Sequence, residues 1–106
     1  MSTSKWVDVG AAGDVSESTP LAGEIDGFAI IVIRCAEELF AVEDRCTHDG
    51  EPLAGAQIES CEIICPRHGA RFCARTGAAL TPPAYEPLRI FHVREQDGRV
   101  LVETPE

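Results

Sequence analysis

Basic residues and long apolar segments are both scarce in this chain of 106 residues. Lysine and arginine together number 9 against 18 aspartates and glutamates, which gives a formal net charge of -9. Nucleic-acid phosphates require a basic face, so this charge balance argues against a nucleic-acid partner. No apolar run approaches the roughly 20 residues of a membrane span, and the N-terminus lacks the apolar stretch of a secretory signal. We therefore expect a cytoplasmic protein without a membrane partner.

The sequence also lacks helical patterning, because no segment of helix length repeats its apolar residues with a 3.6-residue period. Short apolar stretches separated by turn signals are present instead, as is typical of strands. The most apolar of them, residues 28–33, predicts a central strand that is buried on both faces. Asp26-Gly27 and Asp97-Gly98 predict hairpin turns. The other predicted strands are 5–9, 21–24, 39–42, 56–58, 62–64, 71–73, 88–93 and 100–102. The sequence therefore predicts an all-β domain with antiparallel sheets.

Two Cys-His pairs are the most informative feature of the chain. Cys46 and His48 form a C-x-H pair, and Cys65 and His68 form a C-x-x-H pair after sixteen intervening residues. Glycines and prolines beside both pairs suit tight, stiff turns. A zinc ion would accept two thiolates and two imidazoles, although zinc sites more often use C-x2-4-C and H-x3-5-H spacings. The same ligand set on a 2Fe-2S cluster, with both cysteines on one iron, is the Rieske arrangement.

The residues around both pairs carry a family resemblance. The motifs C-T-H-D-G at 46–50 and C-P-R-H-G at 65–69 resemble the two cluster-binding loops of Rieske proteins. Residues 70–72, 76–77 and 82–83 resemble the stretch after the second loop in Rieske ferredoxins of ring-hydroxylating oxygenase systems. The resemblance covers most of the chain and is more specific than any single pair.

Fold and site assignments follow from this resemblance. It implies that residues 1–106 form a single Rieske domain, an all-β antiparallel sandwich with a small cluster-binding subdomain at about 44–84. It also implies that Cys46 and Cys65 bind the inner iron of one 2Fe-2S cluster, and that His48 and His68 bind the outer iron. We expect no catalytic residues, because the chain has no room for a mononuclear iron, flavin or nicotinamide-binding domain beside the cluster.

The function implied by the resemblance is electron transfer. A soluble carrier of this type would pass one electron at a time from an NAD(P)H-dependent flavoprotein reductase to a terminal oxygenase, and its partners would dock transiently near His48 and His68. The net acidity would favour docking onto basic patches. Two alternatives remain open at this stage. One is a small accessory subunit of a nitrite reductase or other multi-subunit oxidoreductase, and the other is a structural zinc module.

Departures from high-potential Rieske proteins indicate a low reduction potential. Those proteins have a disulfide between their loops, whereas Glu51 and Arg67 occupy the matching positions here. They also have hydroxyl donors near the second loop, where this chain has Ala70 and Phe72. Missing donors lower the potential, because reduction adds negative charge that they would stabilise. We expect a value of about -150 mV, at the lower end of the Rieske range.

Several residues outside the pairs receive simpler predictions. Without an export signal, Cys35, Cys61 and Cys73 are expected to be reduced thiols. His92 is interpreted as a surface residue of a strand, and residues 43–45 as solvated charges. Residues 81–84 are rich in proline and resemble the loop that covers one side of the cluster in Rieske proteins.

Overall fold

The computed structural model describes residues 5–47, 50–53, 55–66, 69–82 and 84–104. Within these ranges lie ten strands and a single 3₁₀ turn at Ala12–Asp14. The strands are β1 (Trp6–Ala11), β2 (Leu21–Ile25), β3 (Phe28–Cys35), β4 (Glu38–Glu43), β5 (Gln57–Glu59), β6 (Glu62–Ile64), β7 (Arg71–Cys73), β8 (Ile90–Phe91), β9 (Val93–Gln96) and β10 (Arg99–Glu103). The predicted all-β class is confirmed. In the described part of the chain, no helix is long and apolar enough to cross a membrane.

The strands form three antiparallel sheets. The first sheet has the order β1-β10-β9, the second β2-β3-β4-β8, and the third β5-β6-β7. Hairpin turns connect β2 to β3 and β9 to β10, and the Asp-Gly residues in both turns have positive φ. Positive φ at both central residues is the requirement of a tight two-residue hairpin, which explains the Asp-Gly signals in the sequence. The antiparallel arrangement and both turns are therefore as predicted.

The strand predicted over residues 88–93 is in fact two separate strands, β8 and β9. The sequence favoured a continuous strand over 88–93, but the chain changes sheets at His92. Before this residue β8 pairs with β4 in the second sheet, and after it β9 pairs with β10 in the first sheet. Apolar side chains occur both before and after His92, because each of the two sheets buries one of its faces. Sequence alternation alone therefore does not reveal where the chain leaves one sheet for the other.

Two hydrophobic cores lie on opposite sides of the second sheet. The sandwich core, between the first and second sheets, contains Ala12, Val15, Ile25, Ile30, Val32, Ala41, Phe91, Val100 and Val102. The site core, between the second sheet and the third, contains Ile31, Ile33, Val42, Cys46, Leu53, Ala56, Ile63, Cys65, Ala70, Phe72, Ala74, Ala84 and Leu88. The metal-site candidates Cys46 and Cys65 are thus part of the second of these cores.

Strand β3 contributes to both cores. Its side chains alternate, so that Ile30 and Val32 enter the sandwich core while Ile31 and Ile33 enter the site core. All four side chains are completely buried. The prediction of a central strand buried on both faces is confirmed for residues 30–33, whereas Phe28 and Ala29 at the start of the strand are exposed. This strand connects the packing of the sandwich to that of the candidate site.

The cysteines outside the Cys-His pairs differ from expectation. Cys35 and Cys61 form a disulfide with Cα atoms 5.5 Å apart, so the prediction of reduced thiols is wrong for these two. Cys73 is not bridged. Cys35 ends β3 and Cys61 lies in the turn before β6, so they meet only through the packing of the second sheet against the third. The absence of an export signal bears on the redox compartment and not on which cysteines the fold brings together.

The predicted surface position of His92 is confirmed, since this residue is exposed, but it lies between β8 and β9 and not within a strand. Its Nδ1 atom lies 3.2 Å from Oε1 of Glu103 on the neighbouring strand β10. His92 therefore belongs to the surface of the first sheet.

Candidate metal centre

The first ligand loop, residues 46–51, leaves β4 and turns back on itself. The backbone N–H of Cys46 donates to the carbonyl of Glu51 at 2.8 Å, and the N–H of Gly50 donates to the carbonyl of Cys46 at 2.7 Å. Gly50 has φ +76, a left-handed conformation that glycine adopts without a steric penalty. The loop is therefore closed by its own backbone at the position of the buried Cys46 thiol.

The second ligand loop, residues 65–70, repeats this bonding pattern. The N–H of Cys65 donates to the carbonyl of Ala70 at 2.8 Å, and the N–H of Gly69 donates to the carbonyl of Cys65 at 3.0 Å. In both loops the cysteine carbonyl thus accepts from a glycine four residues later, and the cysteine N–H donates to the carbonyl five residues later. Gly69 also has positive φ, at +72. The described ends of the two loops are therefore closed by equivalent backbone hydrogen bonds.

The cysteines of the two loops fit the thiolate side of an iron-sulfur centre. Cys46 and Cys65 are both buried in the site core, and neither takes part in the disulfide. Each thiol belongs to the first residue of a ligand loop, and both lie in one apolar core. They therefore provide two soft ligands that are shielded from water. The predicted imidazole ligands His48 and His68, and Arg67 beside them, lie outside the described residues. Among the described residues, no group of three or more His, Cys, Asp or Glu side chains is arranged to hold a metal ion.

Asp44 lies just before the first ligand loop and binds the chain that follows it. Its carboxylate oxygen Oδ1 accepts a hydrogen bond from the N–H of Leu53 at 2.6 Å, and its own N–H donates to the carbonyl of Ala29 in β3 at 2.9 Å. The sequence interpretation of residues 43–45 as solvated charges is therefore wrong for Asp44. The one available signal was residue type, since aspartate often bonds nearby backbone N–H groups in turns.

The segment of residues 80–86 joins the two ligand loops. Near its start, Oγ1 of Thr81 accepts a hydrogen bond from the N–H of Arg71, directly after the second loop, at 2.9 Å. Near its end, the carbonyl of Glu86 accepts a hydrogen bond from Oγ1 of Thr47, within the first loop, at 2.7 Å. Ala84 is buried between these contacts, whereas the adjacent Tyr85 is 83% exposed. This proline-rich segment is therefore anchored at the first loop and directly beside the second, and its Tyr85 side chain is exposed.

Comparison with known proteins gives the family. The family model of the Rieske [2Fe-2S] domain matches residues 5–92. Over 98 residues the chain is 35% identical to the anthranilate 1,2-dioxygenase ferredoxin subunit of Burkholderia cepacia, and this match covers 92% of the chain and 91% of the relative. The shared region therefore includes both ligand loops and nearly the whole length of each protein.

Solved structures agree with the sequence match. The Sphingomonas yanoikuyae B1 ferredoxin is similar with a TM-score of 0.88 and 27% identity, over 95% of this chain and 100% of the other. A chain from the complex of reduced oxygenase and oxidized ferredoxin in carbazole 1,9a-dioxygenase is similar with a TM-score of 0.83 and 32% identity, over 92% and 91%. The chain therefore belongs to the Rieske [2Fe-2S] family, as an electron carrier with one 2Fe-2S cluster that is related to the ferredoxin components of dioxygenase systems and is not itself an enzyme.

Proposed function

We propose that this protein accepts single electrons from an NAD(P)H-dependent flavoprotein reductase and delivers them to a terminal oxygenase in the cytoplasm. The observation that carries the proposal is the equivalence of the two ligand loops, which place Cys46 and Cys65 in one buried core. The similarity to a chain from an oxygenase–ferredoxin complex supports the choice of an oxygenase as the electron acceptor. In this proposal residues 1–106 act as one domain, with a cluster-binding subdomain at about 44–84.

The proposed ligands are Cys46 and Cys65 for the inner iron, and His48 and His68 for the outer iron. A bound 2Fe-2S cluster supplies a one-electron couple whose potential depends on ligand charge, hydrogen bonding and burial. The surrounding residues favour this role, because Leu53 and Phe72 are completely buried in the same core as the two thiols and exclude water from that side.

Partners would dock at the end of the molecule that carries the ligand loops, near His48 and His68. The segment of residues 80–86 offers apolar side chains there, since Tyr85 is 83% exposed and Leu80 is 46% exposed. Aromatic residues are enriched at protein interfaces, where a rigid ring buries much area at a small entropic cost. We propose that Tyr85 is a contact residue for the oxygenase.

Replacing Tyr85 by alanine is expected to weaken electron delivery to the oxygenase by about 5- to 30-fold, which corresponds to about 1–2 kcal/mol of docking energy. The measurement is the rate of oxygenase reduction as a function of ferredoxin concentration, with the reduction potential determined on the same sample. A matched control is Trp6→Ala, which removes an aromatic residue from β1 in the first sheet. Equal losses in both variants, or an altered potential in Tyr85→Ala, would contradict a docking role.

The proposed low potential is supported by two residues of the site core. Ala70 and Phe72 are completely buried, and neither can donate a hydroxyl hydrogen bond. We predict that Ala70→Ser raises the potential by a modest fraction of the roughly 450 mV Rieske range, because a hydroxyl beside the cluster stabilises the reduced state. Ala74→Ser is the matched control, since Ala74 is equally buried in the same core but lies beyond β7. Protein-film voltammetry of the two variants tests the prediction, and a fall in the Ala70→Ser potential would oppose it.

The experiment for the function as a whole is metal analysis of anaerobically purified protein, followed by reconstitution. We expect two irons and two sulfides per chain. After reduction with dithionite, the EPR signal should have an average g value below that of the free electron. The loaded protein should then mediate electron flow from a flavoprotein reductase to a ring-hydroxylating oxygenase. Zinc without sulfide would contradict the proposal and favour a structural module.

A further inference from the structure

The Cys35–Cys61 disulfide lies where the second and third sheets meet. Cys35 ends β3 immediately before the turn to β4, and Cys61 is in the turn between β5 and β6. Among the described strands, no backbone ladder joins these two sheets. They contact each other through the side chains of the site core. The disulfide is therefore a covalent connection at a junction that is otherwise held by side-chain packing and a few individual contacts, such as that of Arg75 with the Phe40 ring.

The ring that this disulfide closes includes the first ligand loop. The bridged residues are separated by 26 positions, and Cys46 and Leu53 both fall between them. Cys65 follows Cys61 by four residues, at the end of β6. One cysteine of the candidate metal centre thus lies inside the ring, and the other lies directly beyond it. Opening the bridge would release a constraint on both ligand loops.

Small molecules can reach the bridge from solvent. It borders an open groove whose other walls include Glu17, Ser18 and Arg34. Cys61 is partly exposed, whereas Cys35 is buried. The guanidinium of Arg75 lies with Nη2 3.8 Å from Sγ of Cys61. This cation is also held 5.5 Å from the ring centre of Phe40, so it has a second contact near the same position.

From this arrangement we infer that Cys35 and Cys61 form a reversible thiol modification site. Its oxidation by a low-molecular-weight disulfide fastens the ligand loops to the second sheet and slows loss of the metal centre. If the protein is cytoplasmic, as proposed above, an accessible bridge beside a metal centre agrees with a sensing role, because cytosolic disulfides are usually transient, catalytic or redox-sensing. The inferred modification is a two-electron oxidation of two thiols to a disulfide. It is separate from the one-electron transfer proposed for the cluster.

The chemistry begins at Cys61, which is the more exposed of the two cysteines and has the Arg75 guanidinium 3.8 Å from its sulfur. In the thiolate form, Cys61 is the attacking nucleophile. This thiolate attacks glutathione disulfide, forms a mixed disulfide on Cys61 and releases one glutathione thiolate. The Cys35 thiol then loses its proton and attacks Sγ of Cys61, which releases the second glutathione. In total, two protein thiols and one glutathione disulfide give one protein disulfide and two glutathione molecules, so both atoms and electrons balance.

The test uses the iron-loaded protein in a Cys73→Ser background. This substitution removes the unbridged thiol whose pKa is lowered by a hydrogen bond from the Thr76 hydroxyl, with smaller contributions from backbone N–H groups and Arg75. The protein is incubated with either oxidised or reduced glutathione, alkylated and mapped by peptide mass spectrometry. Thermal unfolding and iron release to a chelator are measured on the same samples. We expect a peptide pair joined through Cys35 and Cys61 only after oxidation.

We expect oxidation to raise Tm by about 10 °C, because closing a ring of this size restricts the unfolded chain. Iron release should become several-fold slower. Cys35→Ser/Cys61→Ser should behave as the reduced protein under both conditions. If that double variant folds poorly, reduced and oxidised protein of unchanged sequence still provide the comparison. Absence of the joined peptide pair would overturn the inference, as would a bridge that changes neither Tm nor iron release.

Arg75 allows the chemical order to be tested without removing a cysteine. Arg75→Gln should slow bridge formation several-fold, since it removes the charge beside Cys61. The matched control is Arg94→Gln, because Arg94 lies over the ring of Trp6 in the first sheet. Equal rates in the two variants would reject the assignment of Cys61 as the first attacking sulfur. Because the bridge is detected by mass, this result does not depend on electron delivery to any partner.

Discussion

Cys46→Ser is expected to yield protein with almost no bound iron or acid-labile sulfide. The thiolate is the ligand form of cysteine, and a serine hydroxyl remains protonated at neutral pH. Cys46 is completely buried, so water from bulk solvent has no direct access to replace the missing ligand. Cys65→Ser should have the same effect, because Cys65 occupies the equivalent position in the second ligand loop. Iron and sulfide assays, together with the visible absorption spectrum, measure the loss.

Cys73→Ser is the matched control for both ligand variants. Cys73 is also an unbridged cysteine, but it lies at the end of β7 and is not part of either ligand loop. This variant should retain two irons and two sulfides per chain. Full iron content in Cys46→Ser would contradict the proposed ligand set, and cluster loss in Cys73→Ser would point to a ligand assignment that includes Cys73.

Gly77→Ala is expected to reduce the free energy of unfolding by about 3–5 kcal/mol. A Cβ atom at this position would overlap the carbonyl oxygen of Leu88 and lie 3.0 Å from Cγ2 of Ile90. Gly77 also has φ +79, where a side chain costs about 1–2 kcal/mol. Relief of the overlap would break the 2.7 Å hydrogen bond from the Leu88 N–H to the Gly77 carbonyl, at a cost of about 1–3 kcal/mol. The expected fall in Tm is about 15–20 °C.

Gly98→Ala separates the steric effect from the conformational one. Gly98 has nearly the same φ, +76, but no atom lies within 4 Å of the position that its Cβ would occupy. Its replacement should therefore cost about 1–2 kcal/mol, which is the left-handed penalty alone. Thermal unfolding of the two variants under the same conditions measures the difference. Similar Tm values would show that the contact between Gly77 and Leu88 is not a rigid constraint.

The features that could be predicted from sequence are local ones. Residues 28–33 form an uninterrupted apolar run, so a central strand with two buried faces follows directly from composition. The hairpin turns at Asp26-Gly27 and Asp97-Gly98 are predictable because Asp-Gly pairs favour the positive φ angles of a two-residue turn. The Cys-His pairs were recognisable because ligand spacing and flanking glycines occur within a few residues of each other.

The features that were missed depend on contacts between distant parts of the chain. Cys35 and Cys61 become neighbours only when the second and third sheets pack together. The change of sheet at His92 leaves the apolar pattern unaltered on both sides. Asp44 resembles an ordinary surface charge until the N–H of Leu53, nine residues later, is placed at its carboxylate. In each case the missing information was the three-dimensional position of the partner.

The two faces of β3 connect the two hydrophobic cores. Ile31 and Ile33 pack beneath the ligand cysteines, while Ile30 and Val32 of the same strand pack into the sandwich core. Separating the ligand loops from β3 would expose one of these faces and leave the strand supported on the other side only. The stability of the site core and that of the sandwich core are therefore linked through this shared strand. Because β3 pairs with β2 on one side and β4 on the other and also packs into both cores, we expect its amides to exchange more slowly than those of the edge strands, so hydrogen exchange at β3 reports on the integrity of both cores.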